Sequence, residues 1–377
     1  LIASFGLIVL GSERAQLDGA TKYGFLNLIA TTLFLVATGY LYGVFGTLNM
    51  ADIAAKAAAG LGGTAVLPIA VMYLLAFGMK AAAFPLGAWL PASYHTPRFV
   101  VSALFAGLLT KVGVYALIRV LVMLFPPERA TLAPVIAWVA ALTMVLGAIG
   151  ALAQSDIRRL LNHFVVAGIG TILAGLALPE LVPEMASRPA AEALHIGLSG
   201  SILYALHSMV VMTGLYLAAE VMARRTGSSS LHGMGGLWRQ APALSALVLV
   251  LLLAVSGLPP FFGFWPKLAL LRAALLAEMP WLAAAILVSG FLMTIASARV
   301  FALAVWRPLP ARRDASGDVG MAPAVEGAAA AIPLAALLAF VVVAGLWPQP
   351  LAGLAAGAAE GILGSASANG SGLRGAP

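Results

Sequence analysis

Apolar residues run along this chain in long unbroken stretches joined by short polar connections. The stretches read as complete membrane crossings near 23–45, 66–91, 99–125, 133–152, 160–178, 195–222, 242–276, 281–306 and 328–347. Each supplies about the 20 residues that a helix needs to cross hydrocarbon. The alternation of apolar and polar positions that marks barrel strands is missing, so the predicted class is all-α, a polytopic membrane protein with nine complete helices. A shorter run, Leu1–Leu10, cannot cross and lacks the basic start and cleavage site of a signal peptide. It reads as the second half of a helix truncated on its N-terminal side.

Two of the nine stretches are interrupted. The stretch 242–276 is 35 residues long and holds Pro259, Pro260, Gly263 and Pro266. Proline inside a helix removes a hydrogen bond and clashes with the preceding turn, so one broken helix is expected here rather than two crossings. In 66–91, Phe84-Pro85 and Trp89-Leu90-Pro91 mark a second break. Unwound backbone is tolerated at membrane depth only where it lines a cavity, and paired breaks in two halves of a chain point to a transport site. The halves run approximately over 23–178 and 195–306 of a single membrane domain, 1–377, with no residue-by-residue repeat between them. The stretch 307–327 is expected to be a solvated loop, 328–347 the last helix, and the small-residue tail 348–377 mobile.

Composition narrows the function. Hydrophobic residues make up 62% of the chain and charged residues 9%, too little polar material to cover a soluble globule. Cysteine is absent, which excludes thiolate-held iron–sulfur clusters, cysteine-ligated zinc and c-type haem. No cofactor, and no redox chemistry within this polypeptide, is therefore expected. The net charge of +7 is dispersed between apolar stretches rather than gathered on one soluble face, which argues for membrane topology and against nucleic acid. One alternate set of connections carries Arg14, Lys22, Arg98, Arg158, Arg159, Arg224, Arg225, Arg239, Arg307, Arg312 and Arg313; the other carries only Lys56, Arg129, Arg188 and Arg374. By the positive-inside rule the first set is cytoplasmic and the C-terminus lies outside.

Of 21 basic residues five are lysines, and three of these, Lys80, Lys111 and Lys267, fall within apolar stretches. Burial in oil destabilises an ammonium, so a lysine can lose and regain a proton near neutral pH, whereas a guanidinium stays charged. Lys111 is near the middle of 99–125, with Gly107 and Gly113 expected to leave room for water or a partner side chain. Lys80 comes just before the Phe84-Pro85 interruption, and Lys267 follows Pro266 at the other. A charge at such depth costs about 2.5–3.5 kcal/mol on insertion scales. The bland alternative is that each lysine pins helices together through a carboxylate, but no Asp or Glu lies well inside any stretch, Glu220 being near an end.

The remaining polar residues of the stretches carry less. Arg119, Arg272 and Arg299, within one or two turns of an end, are expected to snorkel. His207, inside 195–222, either relays protons or bonds a neighbouring helix. His163 is expected at the membrane edge. Neither His95 nor His232 has a neighbour at metal-ligand spacing, so no metal site is expected. Asp156-Ile157-Arg158-Arg159 reads as a topology-setting hinge containing an ion pair.

The runs Met79–Leu86, Trp89–Pro97, Leu109–Tyr115, Ser155–Leu160 and Gly257–Lys267 resemble the proton-conducting membrane transporter family. Within it, the Tyr94-His95-Thr96-Pro97 and Gly263-Phe264-Trp265-Pro266-Lys267 wording is most similar to the D-type subunits of the Mrp or Pha multisubunit monovalent-cation/proton antiporters. The resemblance covers essentially the whole chain. It implies a fourteen-helix fold shared with the antiporter-like subunits of respiratory complex I, of which this chain would supply the end of the fifth helix and the sixth to fourteenth. It also implies two inverted five-helix repeats, each with a broken helix, and a proton pathway through Lys80, Lys111 and Lys267. The family's intramembrane glutamate would fall just before Leu1, leaving Lys80 without that partner and the sequence inactive on its own. Many members have a lysine where this chain has Met212, so a relay between the halves would use His207 or water, or be broken.

The expected function is a proton-translocating subunit of a Na⁺ or K⁺/H⁺ antiporter in a bacterial inner membrane, with other subunits, lipid, H⁺ and Na⁺ or K⁺ as partners. Carboxylates that could bind the metal ion are missing from the apolar stretches, so that ion is expected to cross in a partner subunit. The alternative is a proton-pumping subunit of an NADH:quinone oxidoreductase or membrane-bound hydrogenase, where electron transfer elsewhere drives the same lysines. A third reading is a scaffold with inert lysines.

Overall fold

A computed structural model describes residues 2–10, 13–178, 188–308 and 328–371. The chain starts with α1 (Ile2–Val9), α2 (Arg14–Phe45) and the short α3 (Met50–Ala58). α4 (Val66–Ala81) and α5 (Trp89–Ser93) are the two parts of the first interrupted stretch. α6 (Phe99–Leu104) and α7 (Thr110–Leu117) are joined by a π-helical turn, Phe105–Leu109, and a second one, Ile118–Leu124, follows α7. α8 (Pro126–Ala153), α9 (Ile157–Leu176) and α10 (Arg188–Thr226) are long and continuous. After the single-turn α11 (Leu237–Gln240), α12 (Pro242–Ser256) and α13 (Phe264–Leu276) form the second interrupted stretch. α14 (Pro280–Val300), α15 (Ala328–Leu346) and α16 (Gln349–Ser371) complete the chain. Among the described residues the only β feature is an isolated bridge between Asp156 and Ser230.

Every stretch expected to cross is helical, but continuity varies. Seven helical stretches among the described residues, counting α4–α5 and α6–α7 as units, are long and apolar enough to cross a membrane. Ile332–Leu346 and Gln349–Gly364, bent by 80°, add one more if they form a single span. The stretch 242–276 stands outside that tally because Gly257, at φ 82°, ends α12 and the Pro259-Pro260 segment separates it from α13. The expected nine is therefore reached only when broken and bent stretches each count once.

Two boundaries need correction. α2 starts at Arg14 rather than near 23, because Glu13 and Gln16 form a capping box and Lys22 pairs with Asp18 at 2.5 Å one turn away. Polar residues thus carry the helix beyond its apolar stretch. The tail after Pro350, expected to be mobile, is helical to Ser371 and packs against α10 and α3 with Ala355 and Ala359 buried. Alanine is the strongest helix former, Pro350 stands in the first turn where a missing N–H is harmless, and small side chains allow close approach. Most of 307–327, with Arg312 and Arg313, and also Arg374, lies outside the described residues.

The connections sort to two ends of the bundle. At the arginine-rich end, Arg158 donates to Pro97 O, the Ile157 N–H to Ser229 O at 3.0 Å, and the Gly236 N–H to Arg307 O at 2.6 Å. At the other, Arg129 donates to Leu178 O at 2.7 Å, Arg272 pairs with Glu192 at 2.7 Å, and Lys56 donates to Phe45 O at 2.9 Å. Arg129, placed in a connection by its sequence, is in fact fully buried in the first turn of α8. Burial grades the helices: the most apolar window of α9 is 83% buried and that of α2 only 22%, so α9 is central and α2 peripheral.

Candidate functional site: lysines at helix interruptions

The first break follows Lys80 directly. α4 ends at Ala81, and Ala82 turns the chain at φ 64°, a left-handed conformation that costs a non-glycine residue energy. Three contacts hold the break. The Trp89 indole N–H donates to Met79 O at 2.8 Å, the Phe84 N–H donates to the Thr143 hydroxyl of α8 at 2.9 Å, and Gly87 lies so close that a Cβ would fall 2.2 Å from Ala82 O. Phe84-Pro85, like Pro259-Pro260, is a cis bond. The half-buried Lys80 sends its ammonium to α2, donating to Thr31 Oγ1 at 3.1 Å.

Lys111, which is buried, lies just after the π-turn Phe105–Leu109 and donates to Ala106 O at 2.5 Å. The glycines beside it do not leave the room expected of them. A Cβ at Gly107 would fall 2.5 Å from Thr213 Oγ1 of α10, and one at Gly113 would fall 2.9 Å from the Ala81 nitrogen of α4. Their role is close helix packing, and Gly113 seats the helix of Lys111 on the last turn of the helix of Lys80.

Lys267, partly buried, lies in the first turn of α13, beyond the second break. It reaches back to the end of α12, donating to Ser256 O at 2.7 Å and Val255 O at 3.3 Å. The last carbonyls of a helix lack intrahelical partners and carry the negative end of its dipole, which suits an ammonium. Gly257 makes the approach possible, since a Cβ there would fall 2.5 Å from Lys267 Cδ. Pro266 is buried beside it.

His207 of α10 is buried between Tyr204 and Phe262, ring centroids 5.3 and 5.4 Å away, and neither ring nitrogen has a hydrogen-bond partner. It stands against the second break, where a Cβ on Gly263 would fall 2.8 Å from its Cε1. Met212 is buried further along the same helix. Thus the helices of Lys80 and Lys111 are brought together by packing, and His207 stands against the break that precedes Lys267. Among the described residues no carboxylate lies within ion-pair distance of Lys80, Lys111 or Lys267; ion pairs such as Arg224–Glu220, at 2.5 Å, sit at helix ends.

The arginine-rich end holds a cavity of roughly 400 Å³ lined by His95, Gln154, Ser155, Asp156, Arg158, Arg159 and Ser229. The ion pair expected in this hinge is replaced by a cap: Asp156 accepts the N–H groups of Arg158 and Arg159 at 2.9 and 3.1 Å and the Ser229 hydroxyl at 2.5 Å. Arg158 instead stacks over Phe99, 4.3 Å from its centroid. Burial, and then the nearby Arg159, hold the His95 imidazole below its ordinary titration range. His163 contacts Gln154 at 3.5 Å near the same end, and Arg299 donates to Gln154 O at 2.9 Å, as an end-seeking arginine should. Sequence reasoning missed Thr31, Thr143 and Ser289; hydroxyls in apolar helices carry no distinguishing pattern.

These features define a class, polytopic helical membrane proteins that carry lysines at interrupted helices. Residues 1–294 match the family described as NADH:quinone oxidoreductase/Mrp antiporter, transmembrane. The chain belongs to that family. It is 36% identical over 322 residues to the D subunit of the Na(+)/H(+) antiporter of Bacillus subtilis (strain 168), covering 84% of this chain and 62% of that protein. The chain thus spans about three fifths of that relative's length. Among solved structures it is similar to a chain of the Mrp complex from Dietzia sp. DQ12-45-1b, with a TM-score of 0.82 at 28% identity over 96% of this chain and 71% of that one. It is also similar to a chain of respiratory complex I from Thermus thermophilus with bound NADH, with a TM-score of 0.81 at 26% identity over 97% and 73%.

Proposed function

We propose that this chain is the proton-translocating subunit of a multisubunit monovalent-cation/proton antiporter of a bacterial plasma membrane. The observation that carries this reading is that the three intramembrane lysines stand where regular α-helix gives way, Lys80 and Lys267 at breaks and Lys111 just after a π-turn, each ammonium bonded to a hydroxyl or a main-chain carbonyl. A lysine paired with a buried carboxylate would leave an uncompensated anion on losing its proton; one bonded to neutral oxygen leaves none. Protons pass along Lys80, Lys111 and Lys267, with His207 as the relay between the last two, since Met212 cannot carry one. Among the described residues no carboxylate stands beside the lysines to bind Na⁺ or K⁺, so the metal ion crosses in a partner subunit. The arginine-rich end faces the cytoplasm and the C-terminus lies outside.

The test is sodium- or potassium-dependent proton flux in everted vesicles holding the assembled complex. Lys80→Ala and Lys267→Ala are each expected to abolish it, and flux unchanged in either variant overturns the role. The likeness to a chain of respiratory complex I favours a second reading, a proton pump powered by electron transfer in other subunits. The higher identity to the antiporter relative favours the first. Quinone- and iron–sulfur-binding subunits in the purified assembly would reverse the choice.

A further inference from the structure

Separate hydrogen bonds tie each break to α8 or α14, and one more ties those two helices to each other. The Thr143 hydroxyl accepts the Phe84 N–H of the first break at 2.9 Å and donates to Val139 O at 2.5 Å. One residue on, Met144 O accepts the hydroxyl of Ser289 in α14 at 3.1 Å, with both residues buried. A serine in a membrane helix ordinarily bonds the carbonyl one turn back, as Thr294 does to Gly290 O at 2.9 Å; Ser289 reaches across to another helix instead. Its neighbour Gly290 faces the second break, where a Cβ would stand 4.0 Å from Lys267 Nζ. Further along α14, Ser297 Oγ meets Ser256 Oγ at 2.9 Å, and the Ser256 carbonyl is the acceptor for Lys267 at 2.7 Å.

Packing decides which way a displacement travels. On the α9 side, Gly170 lies so close to α8 that its Cβ would fall 2.3 Å from the Met144 nitrogen. α8 therefore has no room to yield toward α9. α14 packs against α8 on one side and against α12 and α13 on the other. Interiors this dense pass small shifts on rather than absorbing them.

We propose that α14 couples the two helix breaks, with Thr143 and Ser289 as positioning residues through which a change at Lys80 is felt at Lys267. The inference rests on the transport reading above. A movement of the unwound Phe84 backbone pulls on Thr143, shifts Met144, and is carried by Ser289 into the helix that borders Lys267 and holds Ser297 against Ser256.

The test reads the amine of Lys267 directly, as the rate at which a membrane-permeant acylating reagent modifies it in vesicles of the assembled complex, measured by peptide mass spectrometry. Lys80→Gln is expected to change that rate about fivefold, and the change is expected to persist with Ser289→Thr, which keeps the hydroxyl. With Ser289→Ala or Thr143→Val it is expected to shrink by roughly half or more. An undiminished response in both of these, or no response to Lys80→Gln in the unaltered background, overturns the coupling. The transport reading fails separately, if proton flux in the same vesicles survives Lys267→Ala.

Discussion

The break beside Lys80 and the break beside Lys267 solve the same problem with different chemistry. Lys80 precedes its break and leaves its own helix to find a hydroxyl, Thr31 of α2. Lys267 follows its break and folds back on the carbonyls of Val255 and Ser256. A carbonyl can only accept, whereas a hydroxyl accepts from an ammonium and can turn to donate to an amine. The Thr31 hydroxyl also donates to Asn27 O at 2.8 Å, so it has a resting partner to leave. At the first site the acceptor itself can turn, by rotating one side chain; at the second the acceptors move only with the backbone. One end of the lysine series is adjustable and the other is built into the fold.

The largest effects should come from the ammonium groups themselves. Lys267→Arg keeps the charge but not the exchangeable proton, so flux is expected to fall about 10²-fold or more, as with loss of the amine. Near-normal flux in everted vesicles would mean that Lys267 holds the break and carries nothing. Gly257→Ala comes next: it places a methyl against the Lys267 side chain and strains a left-handed residue by about 1–2 kcal/mol, so both flux and the thermal stability of the complex should drop. Thr143→Val leaves the Phe84 N–H of the other break unsatisfied, a cost of about 1–3 kcal/mol in the unfolding of the detergent-solubilised complex that Thr143→Ser should restore. The smallest effect is expected of Thr31→Val, which removes a hydrogen bond worth about 1 kcal/mol and should slow flux severalfold without lowering stability much. If Thr31→Val abolishes flux as Lys80→Ala does, the first site is as rigid as the second and the contrast between them fails.

The lysines and prolines are legible because charge in oil and missing N–H groups leave marks at single positions. Lys80, Lys111 and Lys267 stand out against apolar neighbours, and Pro85, Pro259 and Pro260 announce the breaks beside two of them. What holds those breaks is not legible. Thr143 meets Phe84 across 59 residues and Ser289 meets Met144 across 145, distances over which no local pattern reports. Gly107 and Gly113 read as space because a glycine in isolation is space; only the backbone of a neighbouring helix shows that it is a seat. The tail that forms α16 reads as mobile because alanine and glycine look alike as small residues, although alanine is the best helix former and glycine nearly the worst. Asp156 suggests an ion pair because arginines follow it, yet its position before an apolar helical run is equally the signature of a cap.

The π-turn at Phe105–Leu109 means that α6 and α7 are out of phase with each other as a single α-helix. Each added or removed residue turns the downstream helix by about 100°. Deleting one residue from this turn would put the chain back in step and, with α6 held in place, turn Lys111 and Gly113 together, taking the ammonium out of its buried position and Gly113 off Ala81. A rotamer change cannot undo the rotation of a whole helix, so the surplus residue sets the frame in which Lys111 can be buried at all.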